Sequence, residues 1–410
     1  MKRIFISLFF FAFMWTAAGA DASPELLFVR WPANPDAVWY SFRIVPVTQH
    51  FGRKEMRPPI YEDGHVFRDS VMIEKEITDS YDGPGILCCQ VKAIGLDGQS
   101  ISAYSAPVPM EKAAQEMERY APKIRVKYHE QNGTVLLYPA YSFVKIPHAV
   151  SYEVEITDEE PENPDGCEPS VHRISQGIVT IPELFDELPR QGTVWWRVRG
   201  LDENGGPVGV WSEAEKIVND PAENWETGIL GDSISHGGGR MSYSPADWPY
   251  NYAYYLDFPT INMSRSGDKT DDLLRRFDAD VLPFHVRYLL IMGGTNNLRC
   301  GGTAEKVISD LEALQEKCRS GGIEPVLLTI PPIAPDRIWK YYQQPTAENW
   351  KAEFDKVNGW IRTQTHIDTA APFAMYEDMP ENLAADGLHP DKEAKEKMGK
   401  IINEKFPEIR

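Results

Sequence analysis

The hydrophobic pattern of this chain changes near Asp220 and Pro221, and this change constrains the fold more than any other feature of the sequence. Before it, apolar residues alternate with polar ones, which is typical of half-buried β-strands. After it, short apolar runs alternate with segments of helical periodicity. Such alternation indicates parallel strands joined by helices that cover both faces of a sheet. A chain of 410 residues is long enough for two or three such domains.

The β-rich half contains a repeated unit of about 100 residues, which is the size of one β-sandwich. The matching segments are residues 37–44 with 149–156, residues 91–97 with 198–202, and the runs that end at Ser105 and Ser212. A repeat of this length predicts two all-β sandwich domains, over residues 21–115 and 116–220. The polar, helix-prone residues 110–119 are predicted to link them.

The strand spacing and aromatic positions of the repeat resemble a pair of fibronectin type III domains. Such domains usually space or present other domains, and some bind glycans. The tryptophans of the repeat could form a sugar-stacking face, but the favoured interpretation is that they fill the sandwich core or the surface. They are Trp39, Trp195, Trp196 and Trp211.

The first twenty residues are predicted to be a secretory signal peptide. Lys2 and Arg3 precede an apolar run over residues 4–15, and small residues end at Ala20. The run is shorter than the roughly 20 apolar residues that a membrane-spanning helix needs. An uncleaved anchor is the alternative. We therefore expect an exported protein, periplasmic or extracellular, without stable membrane insertion.

The charge and the cysteines exclude some functions. The chain has 42 Lys and Arg against 61 Asp and Glu, a net charge of −19, so it repels phosphate backbones and is not expected to bind nucleic acid. The five cysteines match no disulfide framework or zinc site, and we interpret them as small apolar residues. The sequence makes no prediction of the oligomeric state.

Four polar motifs occur where predicted strands of residues 221–410 end, and sites in parallel sheets form beyond the carboxyl ends of strands. A serine on a strand-to-helix turn projects its hydroxyl, and the helix start offers N–H groups to an oxyanion. A glycine or an asparagine can supply further donors, and an Asp three residues before a His can orient the imidazole as a base. Each motif alone is an ordinary turn or helix cap. They contain, in order, Ser233, Gly267, Asn296, and Asp386 with His389.

Together the four motifs resemble those of the SGNH, or GDSL, hydrolases, over essentially all of residues 223–410. The resemblance implies a three-layer α/β/α domain with a parallel sheet, placed after the two β-sandwiches and spanning residues 221–410. It implies ester cleavage through an acyl-serine intermediate without metal or cofactor. One departure is Asn297, where members often have Asp.

The resemblance also implies a role for each motif residue. Ser233 would be the nucleophile, His389 the general base, and Asp386 the group that orients it. The oxyanion hole would consist of the Ser233 and Gly267 N–H groups and the Asn296 side chain. His236, three residues after the serine, is interpreted as pocket lining or surface.

Two loops, residues 237–250 and 331–342, are predicted to shape the pocket. Both contain aromatic residues and an arginine, Arg240 or Arg337, a mixture that suits a polar, ring-shaped substrate, whereas a lipid site would need more apolar surface. The alternative is that the aromatic residues only pack the loops. We expect a carbohydrate esterase that removes acetyl groups from a glycan, or acts on another small ester. The alternatives are a lipase or lysophospholipase, an acyltransferase, and an inactive glycan-binding protein.

Overall fold

The structure, a computed structural model, describes most of the chain. The predicted signal peptide, residues 1–20, lies outside the described residues, as do residues 239–243 with Arg240. In the described part of the chain, no helix is both long and apolar enough to cross a bilayer. The described residues are 25–34, 36–51, 53–125, 134–238 and 244–410.

The first β unit contains two antiparallel sheets around a shared core. Its elements are β1 (Leu26–Arg30), β2 (Trp39–His50), β3 (Arg53–Met56), β4 (Tyr61–Phe67), β5 (Ser70–Glu74), α1 (Glu76–Asp79), β6 (Ile86–Ile94), β7 (Val108–Pro109), α2 (Met110–Ala113) and β8 (Ala114–Met117). One sheet has the order β5–β1–β8, and the other β3–β2–β6–β7 with β4 also paired to β2. The predicted linker, residues 110–119, is wrong in part, because β8 pairs with β1 and belongs to this unit.

The second β unit repeats this arrangement. Its strands are β9 (Lys123–Ile124), β10 (Val135–Leu136), β11 (Ala140–Val144), β12 (Ser151–Thr157), β13 (Arg173–Val179), β14 (Glu183–Phe185), β15 (Gly192–Leu201), β16 (Pro207–Val208) and β17 (Glu215–Asn219). The sheet orders are β14–β11–β9 and β13–β12–β15–β16, with β17 also paired to β15. Trp196 and Trp211 are fully buried, which confirms the core interpretation for these two residues and excludes them from a sugar-stacking face. The resemblance to fibronectin type III domains stays a prediction.

The C-terminal domain is built on a parallel sheet of six strands. The strands that follow β17 are β18 (Thr227–Gly231), β19 (Ile261–Asn262), β20 (Tyr288–Met292), β21 (Glu324–Leu328) and β22 (His366–Ile367). The order is β10–β19–β18–β20–β21–β22, and every pair in it is parallel. The edge strand β10 comes from the second β unit, so this sheet includes a segment outside the predicted range 221–410.

Helices cover both faces of this sheet. They are α3 (Ser233–His236), α4 (Thr270–Asp280), α5 (Thr295–Arg299), α6 (Ala304–Ser320), α7 (Pro335–Tyr342), α8 (Trp350–Ile361) and α9 (Lys392–Ile409). Alternate residues of β20 enter different cores: Leu289 and Ile291 join one, and Leu290 and Met292 the other. This alternation is the period of a strand buried on both faces.

The periodicity of residues 247–255 predicts an α-helix, and this prediction is wrong. The chain there forms two 3₁₀ turns, Trp248–Tyr250 and Tyr252–Tyr255. Asn251 separates them, because its side chain accepts a hydrogen bond from the Ala253 N–H and caps the second turn. Three further 3₁₀ turns are Pro221–Glu223, Leu282–Phe284 and Ala371–Phe373.

Candidate active site

Ser233 lies at the first residue of α3, directly after β18. The Asp232 side chain accepts a hydrogen bond from the Ile234 N–H at 2.9 Å and caps this short helix. Gly231 has no room for a side chain, because a Cβ there would lie 2.6 Å from the Met292 carbonyl oxygen. The Gly-Asp pair therefore fixes the tight turn that presents the Ser233 hydroxyl.

Ser233, His389 and Asp386 form one hydrogen-bonded array. Ser233 Oγ is 2.9 Å from His389 Nε2, and His389 Nδ1 is 2.7 Å from Asp386 Oδ2. The other carboxylate oxygen accepts hydrogen bonds from the backbone N–H groups of Leu388 and His389, each at 2.8 Å. Asp386 is fully buried, whereas Ser233 is 7% exposed. In this geometry the imidazole can accept the proton of the serine hydroxyl.

The loop that contains Asp386 and His389 packs against α7 and is hydrogen-bonded to residues at both of its ends. Gly387 has φ +80°, and a Cβ there would lie 2.5 Å from the Ala334 carbonyl oxygen. The Ala334 N–H donates to the Gly387 carbonyl at 2.7 Å. The hydroxyl of Tyr342, at the end of α7, donates to Asp386 Oδ2 at 2.5 Å. Residues 331–342 were predicted to be a loop that shapes the pocket, which is wrong for the residues of α7, and the contact of Tyr342 with Asp386 was not predicted.

Asn296 lies against the loop that contains Gly267. The Asn296 side-chain amide donates to the Asp268 carbonyl at 3.0 Å, and Arg299 Nε donates to its oxygen at 3.2 Å. These two bonds fix which way the amide points, and its nitrogen carries a second N–H that can be donated to a ligand. Gly267 is exposed and has φ +92°, a conformation that favours glycine.

Asn297 occupies the position where the resembled family often has Asp. Its side-chain oxygen accepts a hydrogen bond from the Thr270 N–H at 3.0 Å, at the start of α4. An amide oxygen can accept this bond as a carboxylate would. The departure from the family pattern therefore keeps a helix-capping contact.

Two buried ionisable groups lie behind Ser233. Lys395, on α9, donates a hydrogen bond to the Ile234 carbonyl, and its burial lowers its pKa to about 7. Burial raises the pKa of Asp232 to about 6. Among the described residues, no three His, Cys, Asp or Glu side chains are grouped so that they could hold a metal ion.

A cavity of about 270 Å³ lies beside Gly267, between the second β unit and the C-terminal domain. Phe185 is the one apolar side chain among the described residues that line it. The polar lining residues are Asp186, Glu187, His236, Arg265, Ser266, Asp268 and Asp272. His236 was interpreted as pocket lining or as a surface residue. It lines this cavity and is 3% exposed, so it does not lie at the surface.

The comparison with known families identifies the C-terminal domain. Residues 229–397 match the model of the GDSL-like Lipase/Acylhydrolase family. This part of the chain is therefore a GDSL, or SGNH, hydrolase domain, preceded by a region that is mostly β.

Individual proteins are similar to part of the chain. The thioesterase 1/protease 1/lysophospholipase L1 of Escherichia coli K12 is 29% identical over 171 residues, which cover 40% of this chain and 76% of that protein. A GDSL-like lipase structure from Bacteroides thetaiotaomicron has 16% identity, covers 46% of this chain and 91% of its own, and has a TM-score of 0.38. An acetylxylan esterase structure from Geobacillus stearothermophilus has 17% identity, covers 44% and 94%, and has a TM-score of 0.34.

Proposed function

We propose that the chain is a serine ester hydrolase in which Ser233 is the nucleophile, His389 the general base and Asp386 the carboxylate that orients it. The observation that carries the proposal is the array with 2.9 Å between Ser233 and His389 and 2.7 Å between His389 and Asp386. His389 Nε2 can accept the hydroxyl proton while its Nδ1–H stays bonded to the buried carboxylate. That carboxylate stabilises the imidazolium that forms.

The proposed reaction has two halves. Ser233 Oγ attacks the ester carbonyl carbon, and the carbonyl oxygen becomes an oxyanion that accepts hydrogen bonds from the Ser233 and Gly267 N–H groups and the Asn296 amide. The tetrahedral intermediate collapses, the C–O bond to the alcohol breaks, and the alcohol takes the proton from His389. Water then gives a proton to His389 and attacks the acyl-serine. The bond from the acyl carbon to Ser233 Oγ breaks, Oγ takes the proton back from His389, and the acid is released.

We propose an acetylated glycan as the substrate. The cavity beside Gly267 is not lined by Ser233, Asp386 or His389, but its mostly polar lining next to the proposed oxyanion hole suits a polar leaving group more than a long acyl chain. The pattern of residues 1–20 supports export of the protein, and acetylated glycans occur outside the cell. The second candidate is a thioesterase or lysophospholipase, which the name of the Escherichia coli relative favours.

The test is hydrolysis of p-nitrophenyl esters from acetate to palmitate by the mature chain and by Ser233→Ala. We expect acetate to be cleaved fastest, and the variant to lose at least about 10³-fold in rate. The matched control is Ser235→Ala, which removes a hydroxyl two residues away that binds Tyr252. We expect the control to keep most of its activity.

Each outcome of this series has a separate meaning. Faster cleavage of long-chain esters would favour the lipid candidate. An undiminished rate in Ser233→Ala would refute Ser233 as the nucleophile. Absence of activity on every ester, in folded protein, would favour a glycan-binding protein without catalysis.

A further inference from the structure

His236 connects the second β unit to the loop that contains Gly267. His236 Nε2 is 2.7 Å from the Tyr138 carbonyl oxygen, which can only accept, so this nitrogen carries the proton. His236 Nδ1 is then an acceptor. The Ser266 N–H donates to it at 3.3 Å, and the Ser266 hydroxyl oxygen lies 3.0 Å from it. One neutral ring therefore joins Tyr138 to the residue that precedes Gly267.

The surroundings of His236 keep the ring neutral. Burial lowers the pKa of His236 to about 4, and the positive charges of Arg276, Lys395 and Arg265 also lower it, whereas the hydrogen bond to Tyr138 raises it. A protonated ring would carry hydrogen on both nitrogens and would have no acceptor for the Ser266 N–H. The connection therefore depends on the neutral form.

The segment that His236 contacts is held at both ends. The Ser266 hydroxyl donates to the Gly238 carbonyl at 2.7 Å, and the Ser266 N–H donates to His236. At the other end, the Asp268 carbonyl accepts from the Asn296 amide. Gly267, which lies between these anchors, has the peptide N–H that the proposed reaction directs at the oxyanion.

His236 does not serve as a second base. Both of its ring nitrogens are engaged, one by Tyr138 and the other by Ser266. The nitrogen within reach of the Ser233 hydroxyl belongs to His389, at 2.9 Å. The effect of His236 on the reaction must therefore be indirect.

We propose that His236 is a positioning residue: its Nδ1 accepts the Ser266 N–H and so fixes the Gly267 N–H of the oxyanion hole, while the bond from its Nε2 to the Tyr138 carbonyl orients the ring. This inference rests on the proposed function. It assigns the second β unit a part in catalysis, because the carbonyl that orients the ring belongs to that unit. A displacement of about 1 Å at a reacting group can cost on the order of 10²-fold in rate, so a lost anchor has a measurable effect.

Two substitutions separate the two hydrogen bonds of the ring. His236→Asn places an amide oxygen near the Nδ1 position, so it can accept from Ser266 but cannot reach Tyr138. His236→Gln places an amide nitrogen near the Nε2 position, so it can donate to Tyr138 but leaves Ser266 without its acceptor. Each variant loses one hydrogen bond, so a merely structural role predicts similar effects.

The measurements are kcat and KM for p-nitrophenyl acetate and the inhibition constant of a boronic acid, which forms a tetrahedral adduct with a nucleophilic serine. For His236→Gln we expect kcat to fall by about 10²-fold, KM to change by less than about twofold, and boronate binding to weaken by a similar factor as kcat. For His236→Asn we expect kcat to stay within about tenfold of the wild type.

Circular dichroism and thermal unfolding of both variants establish that the compared proteins are folded. Equal losses of kcat in the two variants, or an unchanged kcat in His236→Gln, would overturn the inference. Ser233→Ala in the same assay separates the two proposals. If Ser233→Ala is inactive while His236→Gln is fully active, only the positioning role fails, whereas an active Ser233→Ala removes the proposed function itself.

Discussion

The two β units contain the same internal hydrogen bonds but attach to the hydrolase domain in different ways. In each, a tyrosine hydroxyl of a central strand bonds to the backbone six residues earlier. In each, a serine binds the backbone of a valine fourteen residues earlier through both its main chain and its hydroxyl. The pairs are Tyr40 with Asn34 and Tyr152 with Ile146, then Ser105 with Val91 and Ser212 with Val198.

The second unit is continuous with the hydrolase domain. Its strand β10 pairs with β19 and forms the edge of the parallel sheet. Leu137 and Tyr138, directly after β10, belong to one of the two cores of that sheet. Asn219, at the end of this unit, donates to the Leu136 carbonyl at 2.9 Å and holds β10 from the other side.

The first unit is attached through both apolar and charged contacts. Leu26 and Met72 belong to the core cluster of the second unit, which also contains Trp248. Arg68 lies 2.7 Å from Asp247, on the loop after α3, and 3.9 Å from Glu183 of the second unit. Arg125 of the second unit also contacts Asp247, at 3.2 Å. A repeated fold has thus taken two roles: one copy supplies backbone to the catalytic domain, and the other docks against it.

Truncating the chain is expected to have the largest effect on folding and activity, and it separates these two roles. A chain of residues 118–410, without the first unit, should fold and hydrolyse p-nitrophenyl acetate. A chain of residues 221–410 should not fold cooperatively, because it lacks β10 and leaves the edge of the sheet and part of its core exposed. Circular dichroism melts and ester turnover of both chains measure this. A cooperative melt and full activity in the shorter chain would contradict the comparison.

The difference between the units shows why the fold was only partly predictable from sequence. A strand that is buried on both faces can be predicted locally from an apolar run, and the run at residues 288–292 is indeed β20 (Tyr288–Met292). The two residues of β10, by contrast, do not indicate which strand β10 pairs with. It depends on a contact with β19, more than 120 residues away.

The same distinction applies to the candidate site. The spacing of Asp386 and His389 predicts that they meet, because they share one loop. The contacts of Tyr342 and His236 depend on tertiary packing that no local pattern records. A signal for α7 was nevertheless present, because Pro335 and Asp336 occupy the first helical turn, where both residue types are favoured.

A smaller effect is expected from the charged attachment of the first unit. Arg68→Met should lower the free energy of unfolding by about 3 kcal/mol, because it leaves the buried Glu183 without this cation, whereas the partly buried Asp247 keeps its contact with Arg125. The matched control is Arg30→Met in the same unit. The Arg30 side chain, which pairs with Asp69, is 69% exposed. The control should cost less than about 1 kcal/mol in urea unfolding. Equal costs would show that Arg68 is not a buried anchor.

The connection through His236 should make stability depend on pH. The pKa of His236 is about 4 in the folded protein, against 6.5 ordinarily. Between these values the unfolded chain binds more protons, so stability falls as the pH is lowered from 6.5 to 4 and does not change above 6.5 on account of this group. The loss reaches about 3 kcal/mol near pH 4. Urea unfolding of the wild type and of His236→Gln at pH 7 and pH 4.5 measures the part of this loss that is due to His236. Equal losses of unfolding free energy in the two proteins would contradict the prediction.

The smallest expected effect compares a hydrogen bond across the interface with one inside the second unit. The Tyr138 hydroxyl donates to Asp280 of the hydrolase domain at 2.6 Å, and the Tyr141 hydroxyl donates to Asp186 of its own unit at 2.7 Å. Each carboxylate also binds an arginine, so neither is left without a partner when the hydroxyl is removed. Tyr138→Phe and Tyr141→Phe should therefore each cost about 1 kcal/mol.

This pair of variants tests whether the second unit and the hydrolase domain unfold together. If they form one cooperative unit, both substitutions lower the same single transition by similar amounts. Two transitions, with Tyr141→Phe affecting one and Tyr138→Phe affecting neither, would mean that the interface opens before either part unfolds. The kcat of Tyr138→Phe should stay within about twofold of the wild type, because the contact with His236 uses the backbone carbonyl of Tyr138, which this substitution keeps.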